Sequence, residues 1–141
     1  MTINEIQDQI IEEFSLFDNW TDKYEYIIEL GKKLPTLDEA NKVEDNKIRG
    51  CQSNVWLIAY LKEGLLHFNA DSDAVIVKGL VSMLIRVLSG HSPEQIVNSD
   101  LYFIEKIGMT QHLAQTRSNG LLSMVKQMKF YALAYQAKMG I

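Results

Sequence analysis

Cys51 carries the strongest nucleophile the chain offers, and it is the only cysteine. It sits in the run Lys47-Ile48-Arg49-Gly50-Cys51-Gln52-Ser53. Gly50 admits backbone conformations that a side chain forbids, and Gln52 and Ser53 are polar, so the run predicts a turn that presents the thiol outward. Strand alternation would put Lys47 and Arg49 on the side of Cys51, where their charge would favour the thiolate, the form that attacks sulfur or carbonyl centres. The opposite reading rests on residue type alone. Free cysteine is among the most buried residues and often acts as an inert small hydrophobe. Both readings stay open at this level.

Other chemistry is thinner. A cysteine hydrolase or transferase needs a histidine base and an orienting Asn or Asp, parts for which His112 and Asn119 are available. His112 reads more readily as a solvated or capping residue than as that base, and His67 and His91 read as surface positions. No HxxxH spacing occurs, and one cysteine with three scattered histidines lacks the ligands for a zinc or cysteine-ligated cluster site. The chain is therefore expected to bind no cofactor or metal itself, any cofactor sitting on a partner. Asp71-Ser72-Asp73 is predicted to cap a helix, with a docking role open for one carboxylate. Arg117-Ser118-Asn119-Gly120 reads as a turn and cap whose arginine can pair with a carboxylate or a partner's backbone. Met124, Met128 and Met139 read as packing on the last helix.

The elements that must position these groups follow from periodicity. Thr2 and Glu5 have capping-box spacing ahead of Ile3, Ile6, Ile10, Phe14 and Phe17, which predicts a first helix. Trp20, Tyr24, Ile27 and Ile28 predict a second, capped by Asp18 and closed by Gly31 and Pro35. Residues 35–46 read as a polar surface connection. From Lys47 to Asp71 the period is two: Asn54 to Lys62 and Leu65 to Ala70 are predicted to pair as a hairpin about Glu63-Gly64, with Lys47 to Arg49 a short third strand. Helical spacing then returns at Val77, Leu80, Val81, Leu84, Ile85 and Leu88, and again after Ser92-Pro93. Leu101, Ile104 and Ile107 before Gly108 suggest a two-turn helix, and Ser118 is expected to cap a long final one. The order predicts an α+β fold in which helices pack on one face of a small antiparallel sheet of about three strands.

Composition bounds the partners. The chain has 141 residues, 14 basic and 18 acidic side chains, a net charge of −4 and 47% hydrophobic residues, which reads as one domain spanning 1–141. Its scattered basic residues form no stripe for phosphate, so no nucleic acid is expected. With no signal-like amino terminus and no long apolar run, the expected location is the cytoplasm, with no membrane partner. No glycine-rich nucleotide loop follows either strand.

Four blocks, WTDKYEYIIELGKKLP, NKIRGCQSNVWL, ADSDAVIVKGL and IGMTQHLAQTRSNGL, resemble in order and spacing the signature blocks of the SufE family, over roughly residues 14–137. These are sulfur acceptors that work with cysteine desulfurases in iron–sulfur cluster assembly. The resemblance implies a fold like that of SufE and of IscU-type scaffolds. It also implies that Cys51 takes sulfane sulfur from a pyridoxal-phosphate desulfurase of the SufS or CsdA kind and passes it to a SufBCD-like scaffold complex. Such a protein would stimulate its desulfurase without being a free-standing enzyme, and the pyridoxal phosphate would belong to the partner. Carried over by position, the persulfide cysteine is Cys51, the acidic interface residue is Asp73 and the conspicuous arginine is Arg117; Gly50, Gln52 and Ser53 belong to the cysteine motif. The hairpin tip in LKEGLL is shorter than in some members. The rivals are a Cys51–His112 hydrolase or transferase, a cluster scaffold, and a binding module in which Cys51 is merely structural.

Overall fold

The computed structural model describes residues 1–140 and, at positions 115 and 116, the backbone alone. Ile141, the last residue of the expected domain span, lies outside the described residues.

Helix α1 (Ile3–Phe14) starts at Thr2 with a reciprocal capping box to Glu5. Helix α2 (Trp20–Lys32) is capped by Asn19 rather than Asp18, through its side-chain oxygen and the Asp22 N–H. Gly31 does not close this helix but lies inside it, because α3 (Val75–Leu88) crosses there without room for a side chain. A Cβ on Gly31 would stand 2.7 Å from the Gly79 nitrogen, and one on Gly79 would stand 2.1 Å from the Ile27 carbonyl oxygen.

Strands β1 (Val55–Lys62) and β2 (Leu65–Ser72) pair antiparallel from Val55↔Ser72 to Lys62↔Leu65. Glu63 and Gly64 both have positive φ (54° and 78°), the geometry that lets a two-residue turn follow the strand twist. The expected third strand is reduced to a bridge, Lys47↔Trp56, with Ile48 N–H donating to the Val55 carbonyl at 2.8 Å. Gly50, at φ +90°, turns the chain away before a ladder can extend.

Val55, Leu57, Leu66, Phe68 and Ala70 bury one face of the hairpin in a continuous core with Leu80, Leu84 and Leu88 of α3. The sheet is thus covered by helices on that face, as α+β order predicts. The connection 35–46 is not the free surface stretch its composition suggests. It forms 3₁₀ turns at Glu39–Asn41 and Glu44–Asn46 and buries Leu37, whose N–H donates to the Asp71 carboxylate. Asp71 in turn does not cap α3. It is 3% exposed and holds Lys42 and Lys78 at 3.4 and 3.3 Å, tying the connection, β2 and α3 together.

Helix α3 begins at an Ala74 cap with no side-chain acceptor, while Ser72 Oγ accepts from the Ala74 N–H just ahead of it. Helix α4 (Pro93–Val97) has the expected capping box of Ser92 and Gln95. The predicted two-turn helix is one short turn, α5 (Phe103–Lys106), separated by left-handed Gly108 from α6 (Met109–His112). Helix α7 (Gln115–Lys138) starts after Ala114, so Ser118 lies within the helix instead of capping it. Met124 and Met128 are in the core, whereas Met139 is exposed.

Candidate functional site

The chain between Ile48 and Val55 is a loop held at its base from both sides. Ile48 pairs with Val55 as above, and Asn54 donates both its N–H and its side-chain amide to Asp73, at 3.1 and 2.8 Å. Ser72 Oγ donates to the Asn54 carbonyl at 2.9 Å. The acidic residue that the resemblance places at an interface is therefore also a clamp on the Cys51 loop.

At its apex the loop leans on α7. A Cβ on Gly50 would meet Ser123 Oγ at 2.5 Å, a hydroxyl that can rotate aside, so it is the left-handed turn at φ +90° that calls for glycine. The Cys51 thiol points back toward the helix, its Sγ 3.6 Å from the Gly120 carbonyl oxygen, an S–H donor to a backbone acceptor. Gly120 packs directly against the cysteine: a Cβ there would stand 3.5 Å from Cys51 Sγ, in ordinary van der Waals contact.

Beneath the loop is a cavity of about 270 Å³. Cys51, Gln52 and Ser53 form its loop side, Val77 and Leu80 of α3 its apolar floor. Ala114, Arg117, Gly120 and Met124 supply the α7 side. Arg117 is exposed, so its guanidinium offers a solvated cation to the same space that the thiol enters.

Electrostatics at the sulfur run opposite to the expectation that Lys47 and Arg49 activate it. Burial pushes the Cys51 thiol up from its ordinary value. Lys47 pairs with Glu44 at 3.2 Å instead, and neither Lys47 nor Arg49 lines the cavity. The resting thiol is thus protonated and partly buried, at the apex of a loop, so features of both sequence-level readings coexist. Each unit by which a thiol pKa rises removes about ten-fold of its thiolate at neutral pH. Alkylation by iodoacetamide should accordingly be slower than for free glutathione at pH 7 and still be rising at pH 9; a plateau below pH 8 would contradict this. Asp73→Ala, which frees Asn54, should speed alkylation at fixed pH, and an unchanged rate would mean the clamp does not hold the loop.

The predicted hydrolase constellation is not assembled. His112 stacks on Trp20 with ring centroids 4.4 Å apart and planes at 18°, and neither His112 nor Asn119 is among the residues lining the cavity. His67 and His91, expected at the surface, are both partly buried: His67 stacks on Tyr60, and His91 pairs with Leu66 through the backbone. Among the described residues, no cluster of three or more His, Cys, Asp or Glu side chains is placed to hold a metal ion. Among them, too, no helix is long and apolar enough to cross a membrane.

Sequence reasoning missed Val77, Leu80 and Met124 as cavity walls, because each also fits an ordinary core stripe. Gly120 was readable only as part of a turn. A glycine inside a helix is the signal of close approach, but α7 had to be known to begin before it.

A lone thiol over a cavity of mixed polar and apolar lining, at the entry to a hairpin flanked by helices and with His112 not among the lining residues, defines a small α+β thiol protein. A model of the family described as "SufE: Fe-S metabolism associated domain" matches residues 8–132. The chain is 42% identical over 127 residues to an uncharacterized SufE-like protein of Rhizobium meliloti, covering 86% of this chain and 91% of that one. Another from Rhizobium etli is 43% identical over 127 residues, covering 86% of each. A hypothetical protein of Thermus thermophilus, known from a solution structure, shares the fold with a TM-score of 0.75 at 19% identity, over 92% of this chain and 94% of that one. The chain belongs to the SufE family, which places it in iron–sulfur metabolism.

Proposed function

We propose that the protein is a cytoplasmic sulfur acceptor in which Cys51 takes a sulfane sulfur from the cysteine persulfide of a pyridoxal-phosphate cysteine desulfurase and delivers it to an iron–sulfur scaffold complex of the SufBCD kind. The step is thiol exchange. The Cys51 thiolate attacks the terminal sulfur of the donor persulfide, a new S–S bond forms on Cys51, the donor S–S bond breaks, and the electron pair leaves with the donor thiolate. No oxidant is consumed, because the sulfane sulfur is only passed on.

The observation that carries this reading is the position of the only thiol: at the apex of a loop clamped at its base, against a cavity lined by Val77, Leu80 and Met124, with Arg117 on the adjoining helix. Val77, Leu80 and Met124 offer a stored persulfide apolar contact, while Gln52, Ser53 and Arg117 make the rest of the lining polar. Arg117 can stabilise the anionic sulfur once it ionises, and a guanidinium stays charged at any working pH. Since the resting thiol is protonated, docking of the donor must expose it or supply a base, which restricts reaction to the correct partner. Gln52 and Ser53 shape the mouth of the cavity, and Gly50 permits the turn.

The test is alanine release by a cognate desulfurase supplied with cysteine, with and without this protein. The wild type should raise turnover, and Cys51→Ser should abolish the stimulation. If Cys51→Ser stimulated as well as the wild type, the protein would be a binding module with a structural cysteine. Arg117→Ala should lower stimulation without changing the fold; full stimulation by that variant would remove the arginine from the transfer step.

A further inference from the structure

Charge is segregated along this chain. The last acidic residue is Glu105, and the stretch 106–141 holds Lys106, Arg117, Lys126, Lys129 and Lys138 with no aspartate or glutamate. All 18 acidic side chains, against the other nine of the 14 basic ones, lie in residues 1–105. Most of the basic segment is α7.

That helix is also apolar on the wrong side. Leu121, Met124, Met128 and Ala132 bury its inner face, as any surface helix requires. On the opposite face Leu122, Phe130 and Leu133 are 55%, 62% and 54% exposed. With Lys126 and Ala137, also exposed, they recur at steps of four and three, so they form one stripe rather than scattered positions. From Leu122 to Ala137 the stripe runs about 22 Å, or roughly four turns. Three large apolar side chains exposed along one stripe, with a lysine among them, mark an interaction site.

We propose that the outer stripe of α7 docks an acidic amphipathic helix of another protein, its apolar side chains seated along Leu122, Phe130 and Leu133 and its carboxylates facing Lys126. Charge selects this occupant. A second copy packing the same face would bring its own Lys126 and no carboxylate to the stripe, and α7 laid on the acidic side of another copy would be a head-to-tail contact, which builds rings or filaments rather than a two-fold dimer. An anionic membrane would attract α7 but repel the acidic remainder of the domain. An acidic helix laid alongside α7 satisfies both the apolar side chains and the positive charge of Lys126. The stripe lies on the far side of α7 from Gly120, on whose carbonyl the Cys51 thiol rests. The proposal stands on the exposure and charge of α7 and is independent of the sulfur-transfer reading.

The probe is a fluorescein-labelled synthetic helix of about 18 residues, with Leu and Phe on one face and Glu on the others, titrated with the full chain and followed by anisotropy. Saturable binding is expected, weakened by raised salt and by about ten-fold or more in either Phe130→Ser or Lys126→Glu. Both substituted residues are exposed, and circular dichroism checks that each variant keeps the fold. The same peptide with Lys in place of Glu should not bind. Absence of saturable binding, or equal binding of the two peptides, would overturn the proposal. So would a dimer in sedimentation that Phe130→Ser abolishes, which assigns the stripe to a second copy. Capture by phosphatidylglycerol-containing vesicles without peptide binding would assign it to a membrane and overturn the proposal equally.

Discussion

Gly79→Ala is expected to destabilise this protein by about 3 kcal/mol or more, lowering the melting temperature by roughly 10 °C. Helix propensity alone argues the other way, since alanine is favoured over glycine inside a helix by about 1 kcal/mol. Geometry decides the sign. The added methyl would stand 2.1 Å from the Ile27 carbonyl oxygen, 2.5 Å from Ile27 Cγ2 and 2.8 Å from the Ile27 carbonyl carbon. Two of those atoms are backbone in the middle of α2 and cannot swing aside, so α2 and α3 must separate along their length. Val77 and Leu80, which floor the cavity under Cys51, ride on α3. The same variant should therefore also speed alkylation of Cys51. Thermal unfolding checks the first effect, and a melting temperature equal to or above that of the wild type would mean that the two helices are not packed backbone to backbone.

Asp71→Ala is expected to cost about 2–4 kcal/mol at pH 7. The carboxylate accepts from the N–H groups of Leu37 and Ser72 and sits between Lys42 and Lys78. Removing it strands a buried donor and leaves two lysines facing each other. Burial opposes ionisation of Asp71, but the Ser72 and Leu37 N–H groups and then Lys78 outweigh it, so its pKa is lowered. A carboxylate depressed in the folded state stabilises above its unfolded value of about 3.9, and that contribution is lost as the pH falls through the folded value. Asp71→Asn, which keeps the shape and drops the charge, should cost clearly less than alanine at pH 7, and its deficit should shrink as the pH falls below about 4. Urea unfolding at several pH values measures this. A deficit for Asp71→Asn that stayed constant from pH 7 to pH 3 would show that the charge contributes nothing.

These two positions show why some features were legible in the sequence and others were not. The capping boxes at Thr2 and Ser92 and the Glu63-Gly64 turn are decided within a few residues, and they form as the spacing predicts. Asp71 looks like a cap by the same local logic. Its role is fixed instead by Leu37, Lys42 and Lys78, residues whose approach only the tertiary fold supplies. Leu37 is buried in a stretch too polar to show a period, and Gly31 closes no helix because α3 needs its bare backbone. For the site, the loop around Cys51 was legible from Gly50 and the polar residues after the cysteine. The basic environment expected from Lys47 and Arg49 was not realised: Lys47 finds Glu44, and the cation lining the cavity is Arg117, 66 positions along the chain. Arg117, Gly120 and Met124 share one side of α7 at steps of three and four, a pattern visible only once the helix is known to begin at Gln115.

The most direct measurement is intact mass spectrometry of the full chain after incubation with a cognate cysteine desulfurase and cysteine, before and after reductant, beside Cys51→Ser. The wild type should gain the mass of about one sulfur atom, lose it on reduction, and the variant should gain none. An unmodified wild type in the presence of an active cognate desulfurase, or the same gain on Cys51→Ser, would contradict sulfur transfer to Cys51.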